Sequence, residues 1–540
     1  MSRETGWLLL GVALLALLVL ALGARRLDEP GLYYDEVIQA TPASEFLRER
    51  GEALRIPGAR NTRLFGGWFP LLTQPYMGAL KSQLLIPTFA AFGASRETLR
   101  VATLTWACVG LLLVALWVRE LAGTRVALAT AALLALDPSF LFVSRHDWGS
   151  AALALACRGG GLYLATVGWQ RGGAGRLLAG GLLLGLGVYN KIDLLPFLAG
   201  CLLGLLAAAP GPALAVARQR PARLGALALG LVLGALPMLV AVGSVLSATE
   251  AMFRSVDARP DALGEKLLAW RTLLDGSHFH RLMLAGGSFE RLGGVAGAAW
   301  SPFGWIFGAA WLGLFAHALA AARRGEPDRP AVFALAATLA TALLLLATPR
   351  AARIHHVMNI QPLPQLVVAL AAVRLAQRGR AARGMAIAGL AAALVGGLRV
   401  DLRVFETLRS TGGSGRWSGA LEQLAHELPD DVVVVSLDWG FHAPLRFVRP
   451  ELALAEPVWR IHGRQGSLEG GPRHLYLVHE PGYEVFDVGP RLLEAVAQLP
   501  PDLVTVRVHS DRSGQPAFRS IAFARPHQLV YREDVEVRLR

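Results

Sequence analysis

Long apolar runs, separated by short segments that carry arginine, dominate the chain up to about residue 400. At roughly 1.5 Å of helix per residue, about 20 apolar residues cross a hydrocarbon core roughly 30 Å thick. The first run is interpreted as an uncleaved helix rather than a signal peptide, because many further runs follow it. The pattern predicts transmembrane helices, about eleven in all, over residues 7–23, 98–118, 126–143, 150–168, 177–189, 192–211, 224–246, 297–320, 331–347, 356–373 and 385–399.

Arginine is distributed unevenly between the two sets of short loops that these spans define. If the N-terminus is cytoplasmic, the richer set comprises the arginines within residues 119–125, 171–176, 218–223, 323–329 and 374–383. The opposite set contains Arg145, Lys191, Arg350 and Arg353. Because cytoplasmic loops are enriched in lysine and arginine, this bias predicts a multi-pass membrane protein with a cytoplasmic N-terminus.

Three larger segments then lie on the outer side, at residues 24–97, 247–296 and 400–540. Residues 79–92 are apolar but contain Lys81 and, in the middle, Pro87. Counting them as a span would invert every later loop, so they are predicted to form a helix along the outer membrane interface.

The last segment, residues 400–540, differs in pattern from the rest. Short β-type runs alternate with two helical patterns, over 417–427 and 491–499. The predicted strands cover residues 432–437, 474–479, 503–508 and 520–524. This order predicts a soluble extracytoplasmic α/β domain at 400–540, tethered to a transmembrane bundle at 1–399.

Composition agrees with this class. Hydrophobic residues make up 54% of the chain and charged residues only 17%, which is unlike a soluble globular protein. The net charge of +13 resides mostly in short membrane loops, so no nucleic-acid partner is predicted. The three cysteines all fall within apolar runs, which excludes a disulfide framework and a cysteine-based zinc site.

Polar side chains collect at the outer ends of the predicted spans, where each ionisable group carries an energetic penalty. Cations suit a phosphate, carboxylates suit proton transfer, and aromatic rings suit a sugar or an isoprenoid tail. The outer segments that contain these groups are 31–36, 74–83, 144–149, 189–193 and 348–356. Arg158 lies inside the fourth span, on about the face of Asp147, as a functional candidate or as the partner of a buried acid or carbonyl.

Several of these segments resemble the GT-C superfamily of membrane glycosyltransferases. The resemblance rests on Asp35-Glu36 just after the first span, on Tyr76-Met-Gly-Ala-Leu-Lys81, on the acidic outer loop at Asp147, and on the arginine and histidine residues before Pro362 and Pro364. The resemblance covers roughly residues 1–400. Within the superfamily, the chain most resembles bacterial relatives of protein O-mannosyltransferases and aminoarabinose lipid A transferases. Trp439-Gly440 also resembles part of the extracytoplasmic tails of some of these bacterial members.

The resemblance implies a bacterial inner-membrane enzyme with a GT-C bundle. It would transfer a sugar from a polyprenyl-phosphate donor to an extracytoplasmic protein, lipid or glycan acceptor. Asp35 is the expected general base, with Glu36 as helper or second choice, and Asp147 would position the acceptor or the base. Lys81, Arg350 and Arg353 would contact the donor phosphate. The expected substrate-binding residues are Tyr34, Tyr76, Arg145, His355 and His356.

Each of these residues also has a structural interpretation. Asp35 and Glu36 could cap a helix, Lys81 could extend from an interfacial helix to the membrane surface, and Asp147 could pair with Arg145. A structural role is also the more economical interpretation of Asp438 and Trp439, at the end of a predicted strand. No cofactor is predicted. A divalent metal stays open, because oligosaccharyltransferase-like members bind one, although the sequence does not place its ligands.

Two other functions fit a membrane protein of this kind. A lipid-linked-sugar transporter or flippase would carry ionisable groups near the bilayer midplane and related halves. A non-catalytic assembly protein would use the bundle as an anchor. The crowding of polar groups at one end of the bundle favours the enzyme.

Overall fold

Helices form most of the chain up to residue 411, and strands predominate in the C-terminal remainder. The computed structural model describes residues 3–48, 59–211, 218–243, 246–247, 260–348, 353–461, 465–532 and 534–539. The helices are α1 Arg3–Gly23, α2 Tyr34–Val37, α3 Thr41–Leu47, α4 Leu80–Phe92, α5 Arg96–Ala122, α6 Thr124–Ala135, α7 Pro138–His146, α8 Ala151–Gln170, α9 Ala174–Asn190, α10 Leu195–Ala208, α11 Pro221–Val240, α12 Pro260–Leu274, α13 His278–Leu284, α14 Phe303–Arg323, α15 Arg329–Ala347, α16 Ile354–Val357, α17 Leu363–Ala376, α18 Arg380–Thr411, α19 Ala420–Glu427, α20 His442–Val448, α21 Val458–Ile461 and α22 Val488–Val496. The strands are β1 Arg60–Leu64, β2 Gly67–Gln74, β3 Met77–Gly78, β4 Val433–Ser436, β5 Ala453–Ala455, β6 Gly466–Gly470, β7 His474–His479, β8 Val504–Ser510, β9 Pro516–Phe523, β10 His527–Tyr531 and β11 Val535–Leu539.

The membrane class predicted from the apolar runs is confirmed. In the described residues, 8 helices are long and apolar enough to span a membrane, and the bent pair α6–α7 brings the number to 9. The predicted spans 177–189 and 192–211 coincide with α9 and α10, which are shorter than a full crossing. The predicted helix over 79–92 is α4, which falls outside the span candidates.

The third predicted span, 126–143, is not one straight helix. It consists of α6 and α7, which meet at an angle of 63°. Pro138 occupies the first turn of α7, and the carboxylate of Asp137 caps that turn by accepting from the backbone N–H groups of Ser139 and Phe140. After the bend, α7 ends at the buried residue His146, just before the turn that contains Asp147.

Helix α9 packs closely against α11 through glycines spaced four residues apart. A Cβ on Gly181 or Gly185 would lie 2.1 or 2.2 Å from a backbone oxygen of α11. Gly230 and Gly234 face α9 with the same closeness. Small residues on both helices therefore let the backbones approach, as is common between membrane helices. This contact fixes α9, whose C-terminal end carries Lys191.

The C-terminal part contains a five-stranded mixed sheet of order β5-β4-β7-β9-β8. Strands β5, β4 and β7 are parallel, and β9 runs antiparallel to both β7 and β8. Val435, Tyr476, Val478 and Ile521 build its core together with α22. The predicted strands at 432–437, 474–479, 503–508 and 520–524 correspond to β4, β7, β8 and β9. A separate three-stranded sheet has the order β11-β10-β6.

Ion pairs attach this C-terminal part to the segment that runs from α1 to the start of α5. Glu422 accepts from Arg96 at 2.6 Å and from the backbone N–H of Leu32 at 2.8 Å. Arg512 pairs with Glu29 at 2.5 Å, and Arg446 pairs with Glu45. Residues 29–45 are thus held between the bundle and the sheet.

Two aspartates near the bend of α6–α7 differ sharply in their environments. Asp137 accepts hydrogen bonds from the side chains of Gln361 (3.0 Å) and Gln365 (2.7 Å) in addition to its capping bonds. Asp401 of α18 faces Asp137 and is fully buried, yet neither of its carboxyl oxygens has a hydrogen-bond partner among the described residues. A buried polar group without a partner bears its full desolvation cost.

We therefore expect Asp401→Ala to raise the thermal unfolding midpoint, because it removes an uncompensated buried carboxyl from a helix interior. The expected gain in the free energy of unfolding is about 1–3 kcal/mol. Differential scanning fluorimetry of the detergent-purified chain measures it. Asp137→Ala is the matched control and should lower the midpoint, since it deletes a satisfied cap. A lower midpoint for Asp401→Ala would show that Asp401 has a stabilising partner.

Candidate active site

The candidate site is assembled around the ammonium group of Lys81 at the start of α4. Its Nζ lies 3.3 Å from Oδ2 of Asp147 and donates to the backbone carbonyls of Glu36 (3.1 Å) and Asp147 (3.4 Å). Lys81 and Asp147 are both fully buried. Three segments far apart in sequence, α2, α4 and the turn between α7 and α8, are thereby joined at one point.

The turn that contains Asp147 has an unusual backbone. Asp147, Gly149 and Ser150 have φ values of 42°, 65° and 55°, in the left-handed region that non-glycine residues rarely adopt. For Asp147 and Ser150 such conformations cost about 1–3 kcal/mol each and persist where the surroundings enforce them, often at functional sites, whereas glycine adopts them without strain. Oδ1 of Asp147 accepts from the N–H of Ala152 at 3.0 Å, which anchors the turn to α8.

Asp35 lies in the first turn of α2, and part of its surface remains exposed to solvent although many protein atoms lie close to it. Burial raises the pKa of its carboxyl to about 6, against the opposing effect of the positive charges of Lys191, Arg353 and Lys81. Among the described residues, its carboxylate takes part in no ion pair. Asp35 is therefore a weakly acidic, accessible carboxyl group with cations nearby, as a general base requires.

Glu36, next in sequence, has a different environment. It is 1% exposed and accepts from Nε and Nη2 of Arg100 at 2.7 and 3.0 Å. Arg100 also donates to the carbonyls of Leu27 and Pro30. The geometry gives Glu36 a positioning role, since it locks α2 and the preceding loop against α5.

A second chain of polar contacts runs through the turn after α9. Lys191 lies 2.9 Å from Oδ2 of Asp193, which also lies 3.0 Å from Nδ1 of His356. His355 and His356 are 3.1 Å apart through their Nε2 atoms. A Cβ on Gly149 would lie 2.9 Å from Nζ of Lys191, so glycine allows this cation to approach the Asp147 turn.

Arg353 is the most accessible of the predicted phosphate contacts that the structure describes, with 36% of its side chain exposed. Its guanidinium lies 4.4 Å from the ring centroid of Phe289 and 3.1 Å from Glu290. Arg416 lies near the same glutamate at 3.8 Å and is nearly buried. Arg350, the other predicted contact, lies outside the described residues.

An aromatic wall borders these charges. It consists of Tyr33, Trp148, Phe279, Phe289 and Trp417, with ring centroids 4.7–6.3 Å apart. The wall packs α2, the Asp147 turn, α13 and the segment after α18 together. Its rings keep water away from one side of the charged groups, which strengthens their electrostatic interactions.

The C-terminal part reaches the site through Trp439. Its ring lies 4.9 Å from the ring of Tyr34 and 5.3 Å from that of Tyr33. Asp438 binds the backbone N–H groups of Trp439, Val485 and Phe486, and burial raises the pKa of its carboxyl to about 7. Asp438 therefore shapes the loop that presents Trp439.

Tyr34 and Tyr76, both predicted substrate-binding residues, lie close enough to influence each other electrostatically. Glu456 lies near Tyr34, and burial raises the pKa of its carboxyl to about 7. The backbone carbonyl of Tyr76 accepts from the N–H of Ile192, in the turn that carries Lys191. The two tyrosines thus border the same region as Asp35.

Arg145 and Arg158 are enclosed in protein. The side chain of Arg145 is fully buried and donates to the carbonyls of Arg26 and Glu29 (2.7 Å to the latter), and it stacks on Phe405. Its predicted ion pair with Asp147 is absent from the described contacts, because Lys81 pairs with Asp147 instead. Arg158 donates to both oxygens of Asn359, so it is the partner of a buried carbonyl.

Five further residues near the site were not among the predicted site residues. They are Tyr33, Arg100, Lys191, Glu290 and Arg416. Lys191 had a visible signal, since it is a cation in an outer loop against the general charge bias. Tyr33 belongs to the polar segment 31–36, and the other three pair with residues distant in sequence, which no local pattern marks.

The residues at the site do not make a convincing metal centre. Within the part of the chain that the structure describes, no group of three or more His, Cys, Asp or Glu side chains could hold a metal ion. The pair that comes closest to a metal site is Asp193 with His356, and the carboxylate of Asp193 is already neutralised by Lys191. No step of the proposed chemistry is therefore assigned to a metal.

Comparison with known proteins places the fold. A family model described as dolichyl-phosphate-mannose-protein mannosyltransferase matches residues 79–240. The crystal structure of ArnT from Cupriavidus metallidurans in the apo state superposes with a TM-score of 0.52 at 15% identity, covering 96% of this chain and 98% of that chain. The chain has the GT-C fold. This confirms the resemblance drawn from the sequence.

Two further GT-C structures are similar to this chain. One is ArnT from the same organism bound to undecaprenyl phosphate, at 14% identity and a TM-score of 0.52, with 96% of this chain and 98% of that chain covered. The other is the Archaeoglobus fulgidus oligosaccharyltransferase in complex with Zn and sulfate, at 15% identity and a TM-score of 0.50. The match covers 83% of this chain and 62% of the oligosaccharyltransferase. No curated protein sequence matches the chain.

The buried pair Glu36–Arg100 should be essential for stability. Arg100→Met leaves the Glu36 carboxylate unpaired, so we expect a loss of about 3–5 kcal/mol in the free energy of unfolding, read as a lower thermal midpoint. The double variant Arg100→Met/Glu36→Met should recover part of that loss. Arg96→Met, which breaks a more exposed pair, is the control and should cost only about 0–1 kcal/mol. Equal losses for Arg96→Met and Arg100→Met would contradict the positioning role of Glu36.

Proposed function

We propose that this chain is a glycosyltransferase that transfers a sugar from a polyprenyl-phosphate donor to a nucleophile at the outer face of the membrane. The observation that carries the proposal is Asp35, an accessible carboxyl with a raised pKa, facing Lys191 and Arg353 at one end of a GT-C bundle. A base and fixed cations in one place are what displacement of a lipid phosphate by a hydroxyl requires.

The comparisons support this class of donor. The matching family is described by a dolichyl-phosphate-linked sugar, and one of the similar structures has undecaprenyl phosphate bound. Both lipids combine a long apolar tail with a phosphate, which fits a site at the boundary between apolar helices and charged loops. The nature of the sugar and of the acceptor, whether protein, lipid or glycan, is not part of the proposal.

In the proposed reaction, the acceptor hydroxyl attacks the anomeric carbon while the bond from that carbon to the phosphate oxygen breaks. The hydroxyl proton passes to the carboxylate of Asp35, and the bonding electron pair leaves with the polyprenyl phosphate. A single displacement of this kind inverts the anomeric configuration. The pKa of about 6 keeps Asp35 mostly ionised at neutral pH and still a better proton acceptor than an ordinary aspartate.

Charge that develops on the leaving phosphate needs cations that can contact it. Arg353 is accessible, and Lys191, although buried and paired with Asp193, lies beside the Asp147 turn, so we assign these two the phosphate-binding role. Arg350 keeps the role that the sequence suggested for it. Lys81 donates to two backbone carbonyls and forms an ion pair with Asp147, so its contribution is to position the site and to stabilise the negative charge of Asp35.

The remaining predicted residues receive supporting roles. Asp147 positions the base through Lys81, and Tyr34 and Tyr76 border the sugar or the prenyl chain. His355 and His356, beside Asp193, line the approach from the Lys191 turn. On this proposal the site faces the extracytoplasmic side of a bacterial inner membrane, with a cytoplasmic N-terminus and an extracytoplasmic C-terminal domain.

Asp35→Asn should abolish transfer and preserve donor binding, because an amide cannot accept the proton. Loss of a general base typically lowers the rate by about 10²–10⁴-fold. Mass spectrometry of envelope lipids and glycans, from a deletion strain that carries each variant, measures the modified product. Asp28→Asn, at an exposed position in the same loop, is the matched control and should behave as wild type.

The same experiment separates the rival functions. A transporter or flippase would retain lipid movement with Asn at position 35, and an assembly protein would be indifferent to the change. Full product formation by Asp35→Asn would refute the proposed chemistry.

The pH dependence gives a second test. Because Asp35 must be ionised to accept a proton, kcat/KM should fall as the pH drops through about 6 rather than near the ordinary value of about 4. Arg353→Gln removes a charge that lowers this pKa, so the acid limb should move to higher pH. Arg291→Gln, an exposed arginine stacked on Tyr483, is the control. An acid limb that stays in place in Arg353→Gln would exclude Asp35 as the group that titrates.

A further inference from the structure

A groove lies at the end of the bundle opposite the candidate site, between α14, α17 and α18. Its volume is about 330 Å³. The candidate site adjoins the segments that precede α14 and α17, whereas the groove extends along α14 to His317 and along α17 to its last turn. The lining residues are Ile306, Ala309, Ala310, Gly313, Leu314, His317, Val368, Ala371, Ala372, Arg374, Leu375, Arg378, Met385, Ala386, Gly389 and Leu390.

The walls of the groove are apolar and its length matches one membrane leaflet. Small residues on all three helices, such as Ala310, Ala371 and Gly389, keep the walls apart. From Ile306 to His317 the groove follows roughly 16 Å of α14. This is about half of a hydrocarbon core roughly 30 Å thick, the depth of a single acyl chain.

One end of the groove is cationic. Asp328 neutralises Arg374 through contacts of 2.6 and 3.2 Å and accepts from Nε2 of His317 at 3.2 Å. Arg378 donates to the other ring nitrogen of His317 at 3.4 Å. Across the described ranges Arg378 has no carboxylate partner, so its charge remains uncompensated at the mouth of the groove.

The surroundings of Arg378 add to this positive charge. Arg323, Arg324, Arg329, Arg380 and Arg383 lie within the two segments that adjoin the groove, 323–329 and 374–383, whereas the acidic residues of these two segments are Glu326 and Asp328. Basic pockets between transmembrane helices, next to an apolar groove, are characteristic of sites for anionic lipid headgroups.

We propose that this groove binds an anionic phospholipid of the adjacent leaflet, with one acyl chain between α14, α17 and α18 and the phosphate at Arg378. The charge and the length of the groove both support a lipid over a free anion or a peptide. The site shares no residue with the proposed active site and does not depend on the proposed function.

Native mass spectrometry of the detergent-purified full chain tests this proposal, with phosphatidylglycerol and phosphatidylcholine of identical acyl chains as probes. Wild type should bind phosphatidylglycerol in preference. Arg378→Gln should weaken phosphatidylglycerol binding roughly fivefold, the effect of one cation at an anionic headgroup. Gly389→Leu should reduce binding of both lipids, because the space around Gly389 is open and a leucine there fills the groove.

Two control variants distinguish the groove from general lipid contact. Arg383→Gln removes a charge from the same end of the bundle. Gly384→Leu adds a leucine side chain at another glycine of α18 with open space around it. Neither residue lines the groove. Arg383→Gln should weaken phosphatidylglycerol binding less than Arg378→Gln does, and Gly384→Leu should bind both lipids as wild type does. Inorganic phosphate alone should not shift the thermal midpoint. Equal binding of the two lipids by wild type, or equal losses in test and control variants, would overturn the proposal.

Discussion

The ammonium group of Lys81 is the interaction on which the arrangement of the site depends. It is buried in protein, where Asp147 neutralises its charge and two backbone carbonyls, one of them from Glu36, accept its hydrogen bonds. A buried ion pair of this kind contributes little net stability, but removing one partner costs about 3–5 kcal/mol. The pair therefore acts chiefly as a constraint, because α2 can occupy its position only when the Asp147 turn is present and correctly shaped.

Within this arrangement, two opposing effects act on the ionisation of the Asp35 carboxyl group. Burial opposes its negative charge, whereas the cations Lys81, Lys191 and Arg353 favour it. The result is a carboxylate that is ionised near neutrality and ready to take up a proton. The neighbouring Glu36 shows the contrast, since a bidentate arginine makes it a fixed structural anion. Two adjacent acids in the sequence thus acquire different roles through their partners alone.

The apolar runs were sufficient to predict the membrane class, and the strand at 474–479 was predicted to the residue. The convergence of Asp35, Lys81 and Asp147 also followed from their places at span ends. The bend before Pro138 did not, because an apolar run looks the same whether its helix is straight or kinked. Arg145 was predicted to bind the substrate, but its side chain is buried and donates to backbone carbonyls. No sequence pattern reveals such partners.

The most direct measurement of the central claim is an experimental structure of the chain with undecaprenyl phosphate bound. The account predicts the phosphate within hydrogen-bond distance, about 3 Å, of Arg353 or Lys191, at the end of the bundle that contains Asp35. A phosphate bound out of reach of both cations, or at the opposite end of the bundle from Asp35, would contradict it.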